Sequence, residues 1–260
     1  MKVFFISIFP ELIDSLTKNG VIKNALEKSI IEYEILNPID FLKGKERVDD
    51  KPYGGGPGML MKAQPLEKSI LKAKEKSSNN TKVIYMTPQG EKFSQKKSKS
   101  FSKEENLIFI CGRYEGIDQR IIDNFVDEEI SIGDYVLTGG EIPALVVFDA
   151  VVRNIEGVLG DIESAKEESH SNEMIEYPQY TRPEKSNLGN VPEVLISGNH
   201  KKIYDWRRKQ SLGKTFLTRP DIFKSKLDKK DFSLLEEFLS DLGYESDRIA
   251  DLIQIYKKND

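Results

Sequence analysis

Apolar positions gather in short runs through the first 160 residues. Residues 2–8, 30–36, 82–87 and 106–112 are dense in Val, Ile, Phe and Tyr, the pattern of strands buried in a sheet. Residues 64–75 and 117–125 space their apolar positions as helices do. A longer helix is expected over 141–157, EIPALVVFDAVVRNIEG. Strands alternating with helices predict a parallel α/β sheet covered on both faces. Residues 161–173, DIESAKEESHSNE, are acidic, lack periodicity and read as a linker. Beyond it, 199–212, 232–243 and 246–258 read as helices. The expected organisation is an α/β domain over 1–160, a linker over 161–173 and a small helical domain over 174–260.

The 260 residues are 38% hydrophobic and 32% charged, enough for a sizeable core under a charged surface. No apolar run reaches the roughly 18 residues of a membrane span. The opening MKVFFISIFPELIDSL is interrupted by Pro10 and Glu11, so it reads as a strand rather than a signal peptide, and the protein as cytoplasmic and not membrane-bound. Cys111 is the only cysteine, which excludes an internal disulfide and a thiolate zinc cluster. His170 and His200 match no metal-ligand spacing. Any chemistry must rest on carboxylates, Arg, Lys, hydroxyls or backbone groups. The net charge of −4 speaks against a nucleic-acid partner, but local patches matter more than the total. Residues 199–219 carry seven basic residues and one acid, Asp205. They read either as a phosphate-contacting stripe or as a solvated helix face, with Ile203 and Trp206 expected to anchor the helix in its core.

Four segments carry glycine-rich loop chemistry. DDKPYGGGPGM (49–59) lets the backbone approach a ligand closely. Met59 and Leu60 follow Gly58 where a phosphate-cradling loop needs Lys-Ser/Thr, so a nucleotide-hydrolase reading is rejected. YMTPQG (85–90), CGRYEGID (111–118) and SIGDYVLTGGEIP (131–143) fall at strand ends. In an open parallel sheet, ligands bind beyond the carboxyl ends of the strands. Three such loops suit one flat ligand. An adenine fits, its faces covered by Tyr85, Ile132 and Leu137. The dinucleotide fingerprint G-x-G-x-x-G is absent, which argues against NAD. The alternative is that these glycines only turn the chain.

The strings PYGGGPGM, YMTPQG, CGRYEGID, SIGDYVLTGGEIPA, YTRPE and SGNHKKIYDWRRKQSLGKT resemble the bacterial tRNA (guanine-37-N-1)-methyltransferases, a SPOUT-class family. The resemblance runs in order from Met1 to about Asp221. It implies a deep trefoil knot, an exception to the rule against threaded loops, and S-adenosylmethionine bound by the knot loops. The implied cofactor contacts are Tyr85, Thr87, Pro88, Gly112, Glu115, Ile132, Gly133, Asp134, Tyr135, Val136, Leu137, Gly139, Gly140 and Pro143. It further implies a homodimer with shared active sites, each completed by the linker and C-terminal domain of the other copy. The implied product is 1-methylguanosine beside the anticodon.

Methylating guanine N-1 requires a base to remove its proton and a cation facing the carbonyl oxygen where charge grows. Arg153 matches the family's catalytic arginine; by itself it also reads as a rim arginine paired with a surface acid. The family pattern S-A-x-x-D-S becomes Ser164-Ala165-Lys166-Glu167-Glu168-Ser169 here. Glu168 therefore stands at the base position, one methylene longer than the usual Asp. Glu115 reads either as a magnesium ligand alongside Glu168 or as an acid at a helix start. The implied tRNA contacts are Asp50, Gly58, Arg182, Ser197, Lys201, Arg207, Arg208 and Lys214.

Overall fold

The computed structural model describes residues 1–78, 80–159, 169, 174–223 and 227–259, with side chains as far as 254. The chain divides into two compact units, 1–160 and 161–260. In the first, the strands are β1 (Lys2–Ile6), β2 (Glu32–Leu36), β3 (Asp49–Asp50), β4 (Leu60–Met61), β5 (Thr81–Lys92), β6 (Asn106–Cys111) and β7 (Glu128–Ser131). Its helices are α1 (Pro10–Thr17), α2 (Gly20–Glu27), α3 (Ala63–Glu75), α4 (Gln95–Phe101), α5 (Gln119–Phe125) and α6 (Glu141–Val152).

Five strands form one sheet in the order β2-β1-β6-β5-β7, and each neighbouring pair is parallel. Side chains alternate between the two faces, as a pleated strand requires. Val3, Phe5, Ile84, Met86, Leu107 and Phe109 meet α1, α2, α4 and α6 on one side. Phe4, Ile6, Val83, Tyr85, Ile108 and Ile110 meet α3 and α5 on the other. Every residue of β6 is buried. Phe5 stacks on Phe109 at 5.5 Å and meets the edge of Phe148, on α6, at 5.3 Å.

Several boundaries differ from the sequence reading. β5 extends past 87 to Lys92. It pairs with β7 over Ile84–Met86 and again over Glu91–Lys92, with a register shift between. Residues 87–90 bulge out of the ladder, and bulges commonly re-aim a chain beside a site. The helix expected over 141–157 ends at Val152. The short helices α1, α2 and α4, and the strand β7, had no long apolar run to announce them.

Among the described residues of the second unit, the first strands form a small hairpin, β8 (Lys185–Ser186) and β9 (Gly189–Asn190). The unit continues through α7 (Glu193–Ile196), α8 (His200–Thr218), α9 (Lys229–Asp241) and α10 (Ser246–Asn259). Leu212 of α8 packs with Met174, Phe223 and Leu234. Leu235 and Leu239 pack with Ile249 and Ile253. The buried residues of α8 are Leu212, Gly213 and Thr215. Ile203 and Trp206, expected to anchor this helix, are only half-buried.

Candidate functional site

The carboxyl ends of β5, β6 and β7 open on a cleft of about 500 Å³. Three loops wall it: the β5 bulge, the segment after β6 and the segment between β7 and α6. Tyr85, Thr87, Pro88, Gly112, Glu115, Ile132, Gly133, Tyr135, Val136, Leu137, Gly139, Gly140 and Pro143 all line it. Asp134 does not: its side chain is 94% exposed and faces Lys92 at 3.9 Å. Leu60, Gln89, Arg113, Tyr114, Gly116 and Ile122 also line the cleft. Most of these sit inside the glycine strings, so adjacency alone was the available signal.

The approach of the walls depends on glycine. The Gly140 N–H donates to the Gly112 carbonyl at 2.9 Å, and a Cβ on Gly140 would stand 2.8 Å from Cys111 Cα. Burial pushes the Tyr85 phenol up, opposed by a hydrogen bond from the Ile117 backbone, so it stays neutral at pH 7. Burial, with Glu141 nearby, pushes the Cys111 thiol well up, which removes it as a nucleophile.

The 52–58 loop is tied to the second wall. Gly54, Gly55, Gly56 and Gly58 all have positive φ, which side-chain-bearing residues rarely adopt. The Glu115 N–H donates to the Met59 carbonyl at 3.0 Å, and Met61 and Asp118 continue the same backbone pairing. A side chain on Gly58 would overlap Glu115. Asp50 lies outside the cleft lining and pairs with Lys62 at 3.6 Å. The Lys51 backbone N–H, helped by Lys62, holds its carboxyl below the usual carboxylate range.

Arg153 is not in the cleft of its own chain. It caps the C-terminal end of α6, while Gly140 and Pro143 at the other end line the cleft. A helix of 12 residues spans about 18 Å, beyond the reach of one arginine side chain. Glu168 lies outside the described residues. Among the described residues, no three metal-binding side chains converge.

In the second unit, the predicted RNA contacts divide. Lys201, Lys202 and Lys214 are exposed along α8. Arg208 is apart from them: its Nε and Nη2 donate to the two carboxylate oxygens of Asp231 at 2.8 and 2.7 Å. The Arg207 guanidinium sits 4.7 Å from the Tyr177 ring centroid. Arg182 and Arg207 share a depression with Tyr177, Tyr180 and Ile203. The Ser197 hydroxyl donates to the Val194 carbonyl at 2.7 Å and accepts the Asn199 N–H at 3.2 Å, joining α7 to α8.

A parallel α/β sheet whose carboxyl edge carries a cleft lined by glycine-bearing loops is the build of an α/β enzyme domain. The particular family is equally plain. The family model described as tRNA (Guanine-1)-methyltransferase TrmD matches residues 1–225, and the chain belongs to that family. The tRNA (guanine-N(1)-)-methyltransferase of Vibrio campbellii is 52% identical over 243 residues, spanning 93% of this chain and 98% of the relative. That of Vibrio cholerae is 50% identical over 247 residues, 94% of this chain and 100% of the relative. That of Photobacterium profundum is 51% identical over 242 residues, 92% of this chain and 97% of the relative.

Proposed function

We propose that this protein transfers a methyl group from S-adenosylmethionine to N-1 of guanosine 37 of tRNA, in the cytoplasm, as a homodimer with shared active sites. The observation that carries the reading is the glycine-walled cleft in a chain of this family. Its residues fit the cofactor: Tyr85, Ile132 and Leu137 offer apolar surface for an adenine, and close-packed backbone supplies hydrogen bonds to its edge. The reading includes a deep trefoil knot formed by the segments that wall the cleft, and a helical C-terminal domain that contacts tRNA.

When bound, S-adenosylmethionine supplies an electrophilic methyl group on its sulfonium. The chain must do the rest. Glu168 takes the proton from guanine N-1, Arg153 faces the carbonyl oxygen where charge develops, and the loops hold the reacting atoms in line. Magnesium enters this reading only through Glu115 and Glu168, and no step is routed through it.

Two features of α6 support the dimer. The helix is apolar except for Glu141 at its start and Asp149, yet Ile142 and Val146, four residues apart on one face, are 54% and 46% exposed. A helix of that composition belongs in an interior. Arg153, about 18 Å along the helix from its own cleft, then has the second copy's cleft to serve.

The test is methyl transfer to unmodified tRNA transcripts followed by nucleoside analysis. The expected product is 1-methylguanosine, lost when guanosine 37 is replaced. A methyl group at another nucleotide, or no transfer by folded protein, overturns the reading. Glu168→Gln should slow single-turnover transfer by roughly 10²- to 10⁴-fold, while Glu167→Gln should change little. A near wild-type rate in Glu168→Gln would move the base elsewhere.

A further inference from the structure

Glu141 is fully buried, with 0% exposure. It is the first residue of α6, where the helix dipole favours a negative charge. A carboxylate withdrawn from water is costly unless its oxygens are hydrogen-bonded and its charge is matched. Both conditions are met by groups from distant parts of the chain. One oxygen accepts from the Ser7 hydroxyl at 2.7 Å, just beyond β1. The other accepts from the Arg113 Nε at 2.8 Å, just beyond β6.

Arg113 is fixed on its other sides as well. Its Nη1 donates to the Thr138 carbonyl at 3.2 Å, and its guanidinium lies 4.4 Å from the Phe9 ring centroid. A Cβ on Gly139 would overlap the Arg113 side chain, so the chain at 138–141 is pressed against it with no space to spare. Ser7, in turn, accepts the Phe9 N–H at 3.0 Å. One partly buried ion pair thus joins the ends of two strands to the loop that closes the cleft.

We infer that Arg113 and Glu141 are positioning residues for methyl transfer: their ion pair sets the separation of the two loops that grip the cofactor. This rests on the reading of the cleft as the S-adenosylmethionine site. The pair acts on cofactor affinity and alignment through Gly139, Gly140 and Gly112, and carries no proton in the reaction. Lysine in place of Arg113 keeps the charge but loses the second donor that reaches Thr138 while the first holds Glu141. Glutamine in place of Glu141 keeps the shape but removes the charge.

The experiment measures S-adenosylhomocysteine affinity by calorimetry, the KM for S-adenosylmethionine and for tRNA, and melting temperature, in Arg113→Met, Arg113→Lys, Glu141→Gln and the double variant Arg113→Met/Glu141→Gln. Arg113→Met should weaken S-adenosylhomocysteine binding about tenfold or more, Arg113→Lys less, and the double variant no more than the worse single one, as expected of groups that act as a pair. The KM for S-adenosylmethionine should rise while that for tRNA stays put. Val147→Ala, in the buried core of α6, is the control for stability alone: it should lower the melting temperature and leave affinity unchanged.

Unchanged affinity in folded Arg113→Met overturns the inference. So does an equal affinity loss in Val147→Ala at equal loss of melting temperature. Should Arg113→Met not fold, Arg113→Lys and Glu141→Gln are read by the same criterion. Gly140→Val separates this failure from failure of the site itself. If it abolishes binding while the pair variants do not, the pair alone is misassigned; if none of them alters binding, the cleft is not the cofactor site.

Discussion

Gly140 rests directly on the end of β6: its N–H donates to the Gly112 carbonyl at 2.9 Å, and a Cβ there would meet Cys111 Cα at 2.8 Å and the Gly112 nitrogen at 2.9 Å. The obstacles are backbone atoms of a fully buried strand, which cannot swing aside as a flexible side chain would. Any side chain at 140 must therefore lift the loop that closes the cleft.

Gly140→Ala should weaken S-adenosylhomocysteine binding measurably, and Gly140→Val by tenfold or more. Overpacking of this kind also costs about 1–3 kcal/mol of stability, so calorimetry is paired with a melting curve. Full affinity in folded Gly140→Val would place the cofactor elsewhere.

Much of this wall was legible in the sequence, because glycine strings at strand ends are a local signal. Thirteen of the singled-out cleft residues line one cavity. Asp134, in the same string, is not among them: its side chain is exposed beside Lys92. The Arg113–Glu141 pair was not legible. It joins residues 28 apart in sequence, and no local pattern tells a buried charge from a surface one. The place of Arg153 was hidden for a related reason: periodicity marks a helix face but not which end reaches a cavity. β7 escaped because a four-residue strand leaves no apolar run, and its pairing with β5 is a tertiary fact.

The basic helix separates into exposed charges, Lys201, Lys202 and Lys214, and a charge held within the fold, Arg208. Replacing Lys201, Lys202 and Lys214 by Gln should reduce the slope of log affinity for tRNA against log salt by about 2 to 3, since each lost phosphate contact removes close to one unit. Cofactor binding should be untouched. Arg208→Gln should lower stability and leave the slope of the folded protein unchanged, because its guanidinium is committed to Asp231. An unchanged slope in the triple variant would move the RNA face off α8.

Arg208 also sets an acid limit on the second unit. Its hydrogen bonds hold the Asp231 carboxyl below the usual carboxylate value of 3.8. A depressed folded pKa contributes stability that is complete above the unfolded value and is lost as pH falls through the folded one. Asp231→Asn should cost about 2 kcal/mol at pH 7, and the gap from wild type should close as pH drops below about 4. Trp206, the only tryptophan, reports unfolding of this unit. A gap that stays constant from pH 7 to pH 3 would mean that the ion pair contributes nothing.

Arg153 gives the sharpest test of the shared site. In one chain the arginine and the cleft stand at opposite ends of α6, so a chain acting alone cannot use both on one guanine. Arg153→Ala spoils the arginine and spares the cleft; Gly140→Val spoils the cleft and spares the arginine. Each homodimer should be inactive or nearly so. In a heterodimer of the two, one site combines the intact cleft of the first chain with the intact arginine of the second, while the other site lacks both. Activity should therefore return to about half the wild-type value per dimer, as expected when a catalytic group is supplied across an interface rather than within a chain. Differently tagged chains, purified through both tags, would be assayed in single turnover with excess tRNA, so that each active site counts once. If verified heterodimers stay as inactive as the parents, the arginine serves its own chain, and α6 would have to bend or move before the chemical step.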